Sequence, residues 1–326
     1  MTKYKEFVLA VDIGGTNTSV GVFGIVNRKR FNHIYSFFYE TQKIKNVGSF
    51  IRKIMDDIRT EHRIKVSRCC LSAAGPLEKG VCKLTNVNLV VNPKKILEKT
   101  GLKKFHIIND FQAIGYGIEP MELYDKRTFS LIKRGKKEKW AIKAVIGAGT
   151  GLGKSFLIYD GRRYVSMPSE GGHEAFSPAN ESEFKLMKYI KNKHKLKHVT
   201  FEHLVSGSGL SNIYEYLTKT KIPGEKIASL YQKNSSAKRA FDMFVTFYAR
   251  AAKNYALDIL PYSGIYLAGG IISKNTYIFN RELFKKEFLS HPNKNHQAIL
   301  KSIPVYVVKN YDINLYGDVY YLMNFT

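Results

Sequence analysis

The sequence predicts a two-domain α/β protein built on a duplicated supersecondary unit, and three observations carry that expectation. At 326 residues the chain exceeds what one hydrophobic core usually serves. An apolar strand feeding a Gly/Thr turn and then a second strand occurs at residues 7–23 and recurs at residues 144–159. A later strand, Ile265-Tyr266-Leu267-Ala268, runs into Gly269-Gly270 and opens a helix, as open sheets do where they bind ligands.

Composition narrows the class. A content of 44% hydrophobic and 24% charged residues is ordinary for a globular chain. No apolar run reaches about 18 residues, so neither a transmembrane helix nor a membrane partner is expected. The first residues pass straight into a strand-like run without an apolar leader, which predicts a cytoplasmic protein. The three cysteines, Cys69, Cys70 and Cys82, have no metal-ligand spacing and read as small buried strand residues. The formal net charge is +25. Lys and Arg are spread along the chain, densest at residues 133–139 and 185–197, so the basic surface is general: it draws anionic ligands and binds nucleic acid only non-specifically.

Taken in order, Phe7 to Ile13 is a strand with Asp12 near its end, then Gly14-Gly15-Thr16-Asn17, then a strand from Thr18. Two glycines at a hairpin supply the positive-φ positions that a tight turn needs. The same residues suit an anion: Asp12 at the strand mouth can hold a hydrated magnesium ion while Thr16, Asn17 and the turn amides approach a phosphate. Residues 31–41 read as a third strand and residues 47–60 as a helix, from the spacing of Phe50, Ile51, Ile54, Met55 and Ile58. Residues 68–74 form a buried strand ended by Gly75-Pro76. Thr85-Asn86-Val87-Asn88 is a polar patch open to two readings, ligand contact or turn, and residues 93–99 are a short helix.

His106-Ile107-Ile108-Asn109-Asp110 leaves an Asn-Asp pair where a strand hands over to a helix, the position of ligand groups in open α/β sheets. Asp110 serves equally as a helix N-cap, and the residue types alone leave capping and chemistry both open. Residues 131–139 form a basic connector. Gly147-Ala148-Gly149-Thr150-Gly151-Leu152-Gly153 then follows an apolar run, with side chains sparse enough for backbone N–H groups to face phosphate. Strands at 155–159 and 163–167 flank an Asp160-Gly161-Arg162 turn. Pro168-Ser169-Glu170-Gly171-Gly172-His173 is a tight turn carrying a carboxylate and an imidazole, both able to grip hydroxyls. Helices are expected at 183–195, 210–218 and 237–260, with Thr200 an N-cap ahead of Glu202, itself open to reading as a solvated helix residue. A strand at 303–308 and a helix at 314–322 close the chain.

Asp12-Ile13-Gly14-Gly15-Thr16-Asn17, Ile107-Ile108-Asn109-Asp110-Phe111, the 147–153 loop, Glu170-Gly171-Gly172-His173, Glu202 with Ser206-Gly207, and Leu267-Ala268-Gly269-Gly270-Ile271 stand in this order. Together they resemble the bacterial-type ATP-dependent glucokinases over nearly the whole chain. The resemblance implies the two-domain fold of the sugar kinase, actin and heat-shock chaperone superfamily, with a mixed sheet in each domain and a cleft between them. The domains are expected at 1–110 plus about 312–326, and at 111–311. By the same resemblance Asn109, Asp110, Glu170, His173 and Glu202 bind glucose, with Asp110 as general base. Gly14, Gly15, Thr16, Asn17, Gly149, Thr150 and Gly151 hold the phosphates of ATP, Gly269 and Gly270 lie against adenosine, and Asp12 holds Mg2+ through water. A homodimer is the family expectation. Mannose, glucosamine, fructose or an N-acetylated amino sugar is the nearest alternative substrate, and a sugar-sensing regulator or a sugar-independent ATPase lies further off. Ser169 replaces a glycine usual in the family, and the zinc-binding Cys cluster of the related repressor/kinase family is absent.

Overall fold

Val8, Leu9, Ala10 and Val11 are an unbroken apolar run, so Glu6–Ile13 is a strand that must be covered on both sides. In the computed structural model, which describes every residue except Met1, Thr2, Lys29, Pro76, Lys79, Thr85, Asn86 and Asp125, it is the middle strand of a five-stranded sheet. The order is Arg30–Glu40, Asn17–Asn27, Glu6–Ile13, Val66–Ala73, Lys104–Asn109. The first three strands pair antiparallel and the last three parallel. Period-two alternation sends Leu9, Val11 and Ile13 to a core shared with Ile51, Ile54 and Ile58 of the helix Val47–His62. Val8 and Ala10 go to the opposite core with Ala113, Leu315, Val319 and Leu322.

That second core moves the expected domain boundary. One compact unit comprises Met1–Lys126 and Asp312–Thr326, the other Arg127–Tyr311. The helix Asp110–Tyr124, which the sequence reading gave to the second domain, belongs to the first because it packs on Ile313–Phe325. The contact is glycine-dependent: a Cβ on Gly317 would lie 1.7 Å from the Ala113 carbonyl oxygen, and one on Gly117 2.3 Å from that of Ile313.

In the second unit a six-stranded sheet runs Tyr164–Ser169, Leu152–Tyr159, Lys143–Ala148, Ile265–Ala268, Val305–Val308, Phe129–Lys133. Its first three strands again pair antiparallel and the next two add in parallel, so the two units repeat one plan. The exception is Phe129–Lys133, an added antiparallel edge strand where a basic connector was expected. Lys133 can lie there because its ammonium donates to the carbonyls of Arg134 and Lys301, both at 2.9 Å; burial pulls its pKa down to about 8. The helix Ser235–Ile259 crosses this sheet, and its buried Tyr248 hydroxyl donates to the Ile146 carbonyl at 2.8 Å. Helices Arg281–Leu289 and Lys294–Ser302 were not expected from the sequence. All three cysteines are buried, and no described helix is long and apolar enough to cross a membrane.

Candidate active site

In the first unit three parallel strands end along one sheet edge. Register pairs Asp12 with Ser72 and Ala73 with Asn109, which aligns Asp12, Ser72 and the Asn109-Asp110 pair. Asn109 is the cap: its Oδ1 accepts the N–H groups of Phe111 at 2.9 Å and Gln112 at 3.2 Å, while the Gln112 side chain accepts the Asn109 N–H at 3.3 Å. Asp110 contributes a further acceptor to the Phe111 N–H at 3.0 Å, so the two residues share the first turn.

The Gly14–Asn17 turn closes by a Gly14 N–H bond to the Asn17 carbonyl at 3.0 Å. Neither Gly14 nor Gly15 adopts the positive φ expected of them. Gly14 serves compactness instead, since a Cβ there would lie 3.0 Å from the Asn17 carbonyl oxygen. Thr41, which sequence reasoning missed, braces the turn through its N–H to the Thr16 carbonyl at 2.9 Å and its hydroxyl to that of Gly14 at 2.8 Å. Thr16 and Asn17 are left exposed. Of the 85–88 polar patch, Thr85 and Asn86 lie outside the described residues.

Asp12 keeps some solvent access yet is enclosed by protein, and its pKa is pushed up to about 7. Desolvation is the main cause; the Asp110 charge adds to it, and hydrogen bonds from Asn314 and Ser72 oppose it. Among the described residues no three His, Cys, Asp or Glu side chains form a metal cage. A carboxylate strained by a like charge, with access to water, fits a hydrated Mg2+ held by one protein group plus phosphate oxygens. Behind Asp12 the Ser72 hydroxyl lies 3.3 Å from Asp12 Oδ1 and 3.1 Å from Oδ2 of Asp318, a fully buried acid on the last helix. An acid in the apolar run Leu315 to Leu322 was the available sequence signal for it.

Burial holds Asp318 well above the usual carboxylate range, and the Asp12 charge pushes the same way. Folding therefore favours its protonated form, and the resulting stability is lost as pH rises from about 4, where the unfolded acid ionises, toward the folded pKa. Asp318→Asn should lessen that pH slope, Asp12 supplying the remainder, and raise stability at pH 8 by about 1 kcal/mol, or Tm by about 2–4 °C. Thermal melts between pH 4 and 8 check this; a variant less stable at pH 8 with an unchanged slope contradicts it.

In the second unit, Lys143–Ala148 ends in the glycine loop. The loop is more internally bonded than its composition suggests. The Gly149 N–H donates to the Gly151 carbonyl at 2.8 Å, and the Leu152 N–H donates to Glu202 Oε2 at 3.0 Å. Gly269 has φ 91°, and a Cβ on it would lie 2.3 Å from the Ala148 carbonyl oxygen, so the Gly269-Gly270 turn is pressed against the start of this loop.

Glu170, His173 and Glu202 stand close together. His173 Nε2 is 3.7 Å from Glu170 Oε2 and its Nδ1 is 3.9 Å from Glu202 Oε1. These separations exceed hydrogen-bond length, so each group keeps capacity for a polyol. Ser169, the departure from family pattern, ties the turn: its hydroxyl accepts the Gly171 N–H at 3.1 Å. Beneath, fully buried Lys154 pairs with Glu174 at 2.8 Å and stands 4.8 Å from the Tyr255 ring centre, a support that sequence reasoning missed. Thr200 caps the short turn Phe201–His203 as expected, with His203 Nδ1 accepting the Thr200 N–H at 3.0 Å. Glu202 is no solvated helix residue; it reaches Leu152.

A sheet plan used twice, with a glycine turn after the first strand of each copy, is the fold shared by the sugar kinases, actin and the heat-shock chaperones. The glucokinase family profile matches residues 9–325, and the chain belongs to that family. A glucokinase from Nostoc sp. strain PCC 7120 is 31% identical, covering 95% of this chain and 97% of its own. The crystal structure of Balamuthia mandrillaris glucokinase in complex with glucose matches with TM-score 0.83 and 26% identity over 97% of this chain and 93% of that one. A Streptomyces griseus ROK family glucokinase in complex with glucose and AMPPNP shares the fold, at TM-score 0.65 and 17% identity over 96% and 98% of the two chains.

Proposed function

We propose that the protein transfers the γ-phosphoryl group of ATP to the 6-hydroxyl of glucose, giving glucose 6-phosphate and ADP. Family membership supports the reaction, and the observation that carries the site assignment is the clustering of Glu170, His173 and Glu202 beside the glycine loop. Asp110 is the general base. A hydroxyl is a weak nucleophile at neutral pH, and a carboxylate accepting its proton contributes about 10²–10⁴-fold. Asn109 is occupied as a cap through its oxygen, so its amide N–H groups are what it offers a hydroxyl. Glu170, His173 and Glu202 pair further hydroxyls, so an analogue lacking one leaves its partner without a hydrogen bond. The Gly14–Asn17 and Gly149–Gly151 turns hold phosphate oxygens through backbone N–H groups other than those of Gly14 and Gly149, which bond within their own turns, and Gly269-Gly270 receives the adenosine. Mg2+ at Asp12, when bound, neutralises charge on the β- and γ-phosphates. A cytoplasmic homodimer acting at the entry of glucose into glycolysis, without specific nucleic-acid partners, completes the reading.

Turnover with Mg-ATP across glucose, mannose, glucosamine, fructose and N-acetylglucosamine tests it; glucose should give the highest kcat/KM. Vigorous ATP hydrolysis that ignores every sugar would favour the sugar-independent ATPase reading instead. Glu170→Gln should raise the glucose KM about tenfold or more, because a charged acceptor is lost, with the ATP KM within a few-fold of wild type. A raised ATP KM with normal glucose binding would move Glu170 out of the sugar site.

A further inference from the structure

Glu202 occupies a position that a sugar ligand alone does not require. One carboxylate oxygen, Oε1, is turned to His173 at 3.9 Å, and the other, Oε2, accepts the Leu152 N–H at 3.0 Å. The Cα of Gly151 is bare where it faces that second oxygen: a Cβ there would lie 2.4 Å from Oε2. Two more contacts join the same segments. The Gly207 N–H donates to the Gly149 carbonyl at 2.9 Å, and Gly172 of the sugar turn abuts the Leu152 carbonyl so tightly that a Cβ would lie 1.7 Å from its oxygen. The phosphate loop is thus fastened at Gly149 and Leu152 to the elements that carry Glu202 and His173.

We infer that Glu202 is a positioning residue for the phosphate loop as well as a sugar ligand, its Oε2 fixing the Leu152 N–H so that the Thr150 and Gly151 amides stand ready for the nucleotide. This deepens the glucokinase reading and rests on it for the identity of the two ligands. A carboxylate holding a loop amide with one oxygen and a sugar hydroxyl with the other makes the two bindings energetically linked. Linkage is reciprocal: glucose on Oε1 tightens nucleotide binding, and nucleotide tightens glucose, by the same factor. Without Glu202, Leu152 loses its acceptor and the loop its tie, and the nucleotide weakens even when no sugar is present.

Two variants and two readouts test this. AMPPNP with Mg2+ is titrated calorimetrically into wild type, Glu202→Ala and Glu202→Gln without sugar, and amide hydrogen exchange is followed at Leu152 in the same proteins. Glu202→Ala should weaken AMPPNP about 5–30-fold and lose Leu152 protection. Glu202→Gln, which keeps an acceptor oxygen, should retain most of both while glucose binding falls. Wild-type AMPPNP affinity and wild-type Leu152 protection in Glu202→Ala overturn the inference and leave Glu202 a sugar ligand only. If wild type binds no glucose, the functional reading fails instead, and Leu152 exchange still decides whether the tie exists. Should Glu202→Ala fail to fold, Gly151→Ala, whose methyl displaces Oε2 with the carboxylate intact, should reproduce the loss of nucleotide affinity and of Leu152 protection.

Discussion

Asp110→Ala is expected to lower kcat for glucose phosphorylation by about 10²–10⁴-fold while nucleotide binding stays within a few-fold of wild type. Its rival role at the helix start is shared with Asn109. Asn109 Oδ1 caps the first turn at Phe111 and Gln112, so removing the Asp110 carboxylate leaves the helix Asp110–Tyr124 anchored. Asp110→Asn keeps an acceptor for the Phe111 N–H and should lose as much activity as the alanine variant, since an amide cannot take the proton. A side effect is expected at Asp12: relieved of the neighbouring charge, its pKa falls from about 7 toward the ordinary range. Single-turnover kinetics with calorimetric nucleotide titration settle the point; activity within a few-fold of wild type in the asparagine variant refutes the base.

Gly172→Ala should be the most damaging single-methyl change in the second unit. No rotamer relieves a Cβ placed 1.7 Å from the Leu152 carbonyl oxygen, because both partners are backbone. The turn bearing Glu170 and His173 must therefore lift away from the loop, and overpacking of this kind costs about 1–3 kcal/mol or more. Expressed at the sugar, the glucose kcat/KM should drop about 10²-fold or further. Gly171→Ala is the internal control. Its nearest atoms are the Lys154 Cδ at 2.9 Å, the Glu174 Oε1 at 3.1 Å and the Ser169 Oγ at 3.1 Å, a milder approach than 1.7 Å and to side chains rather than backbone. Equal kinetics for the two variants would mean that the packing of the turn on Leu152 does not hold the sugar groups in place.

The strands were legible because buried strands are apolar runs, and the glycine turns because little else can follow a strand so tightly. Position along the chain could not say which member of the Asn109-Asp110 pair caps the helix; that depends on which oxygen reaches Gln112. The boundary at residue 110 failed for a similar reason, since the partner that claims the following helix lies at Ile313–Phe325, far along the chain. Phe129–Lys133 was hidden by its lysine, whose burial depends on two carbonyls supplied by backbone geometry. Ser72 and Thr41 gave no signal at all, being ordinary hydroxyl residues until the sheet brings Asp12, Asp318 and the Gly14 turn to them. The site residues named from the motifs sit at strand ends and turns in both units; what the motifs did not reveal is that Glu202 reaches back to Leu152.

The first unit is discontinuous, and that orders events during synthesis. A ribosome delivers residues 127–311 in full before it reaches the helix Ile313–Phe325. Until then Val8, Ala10, Phe23 and Ala113 lack the Leu315, Val319 and Leu322 side chains that cover them. The nascent amino-terminal segment therefore waits, with a greasy face uncovered, while the contiguous middle unit is already complete in sequence.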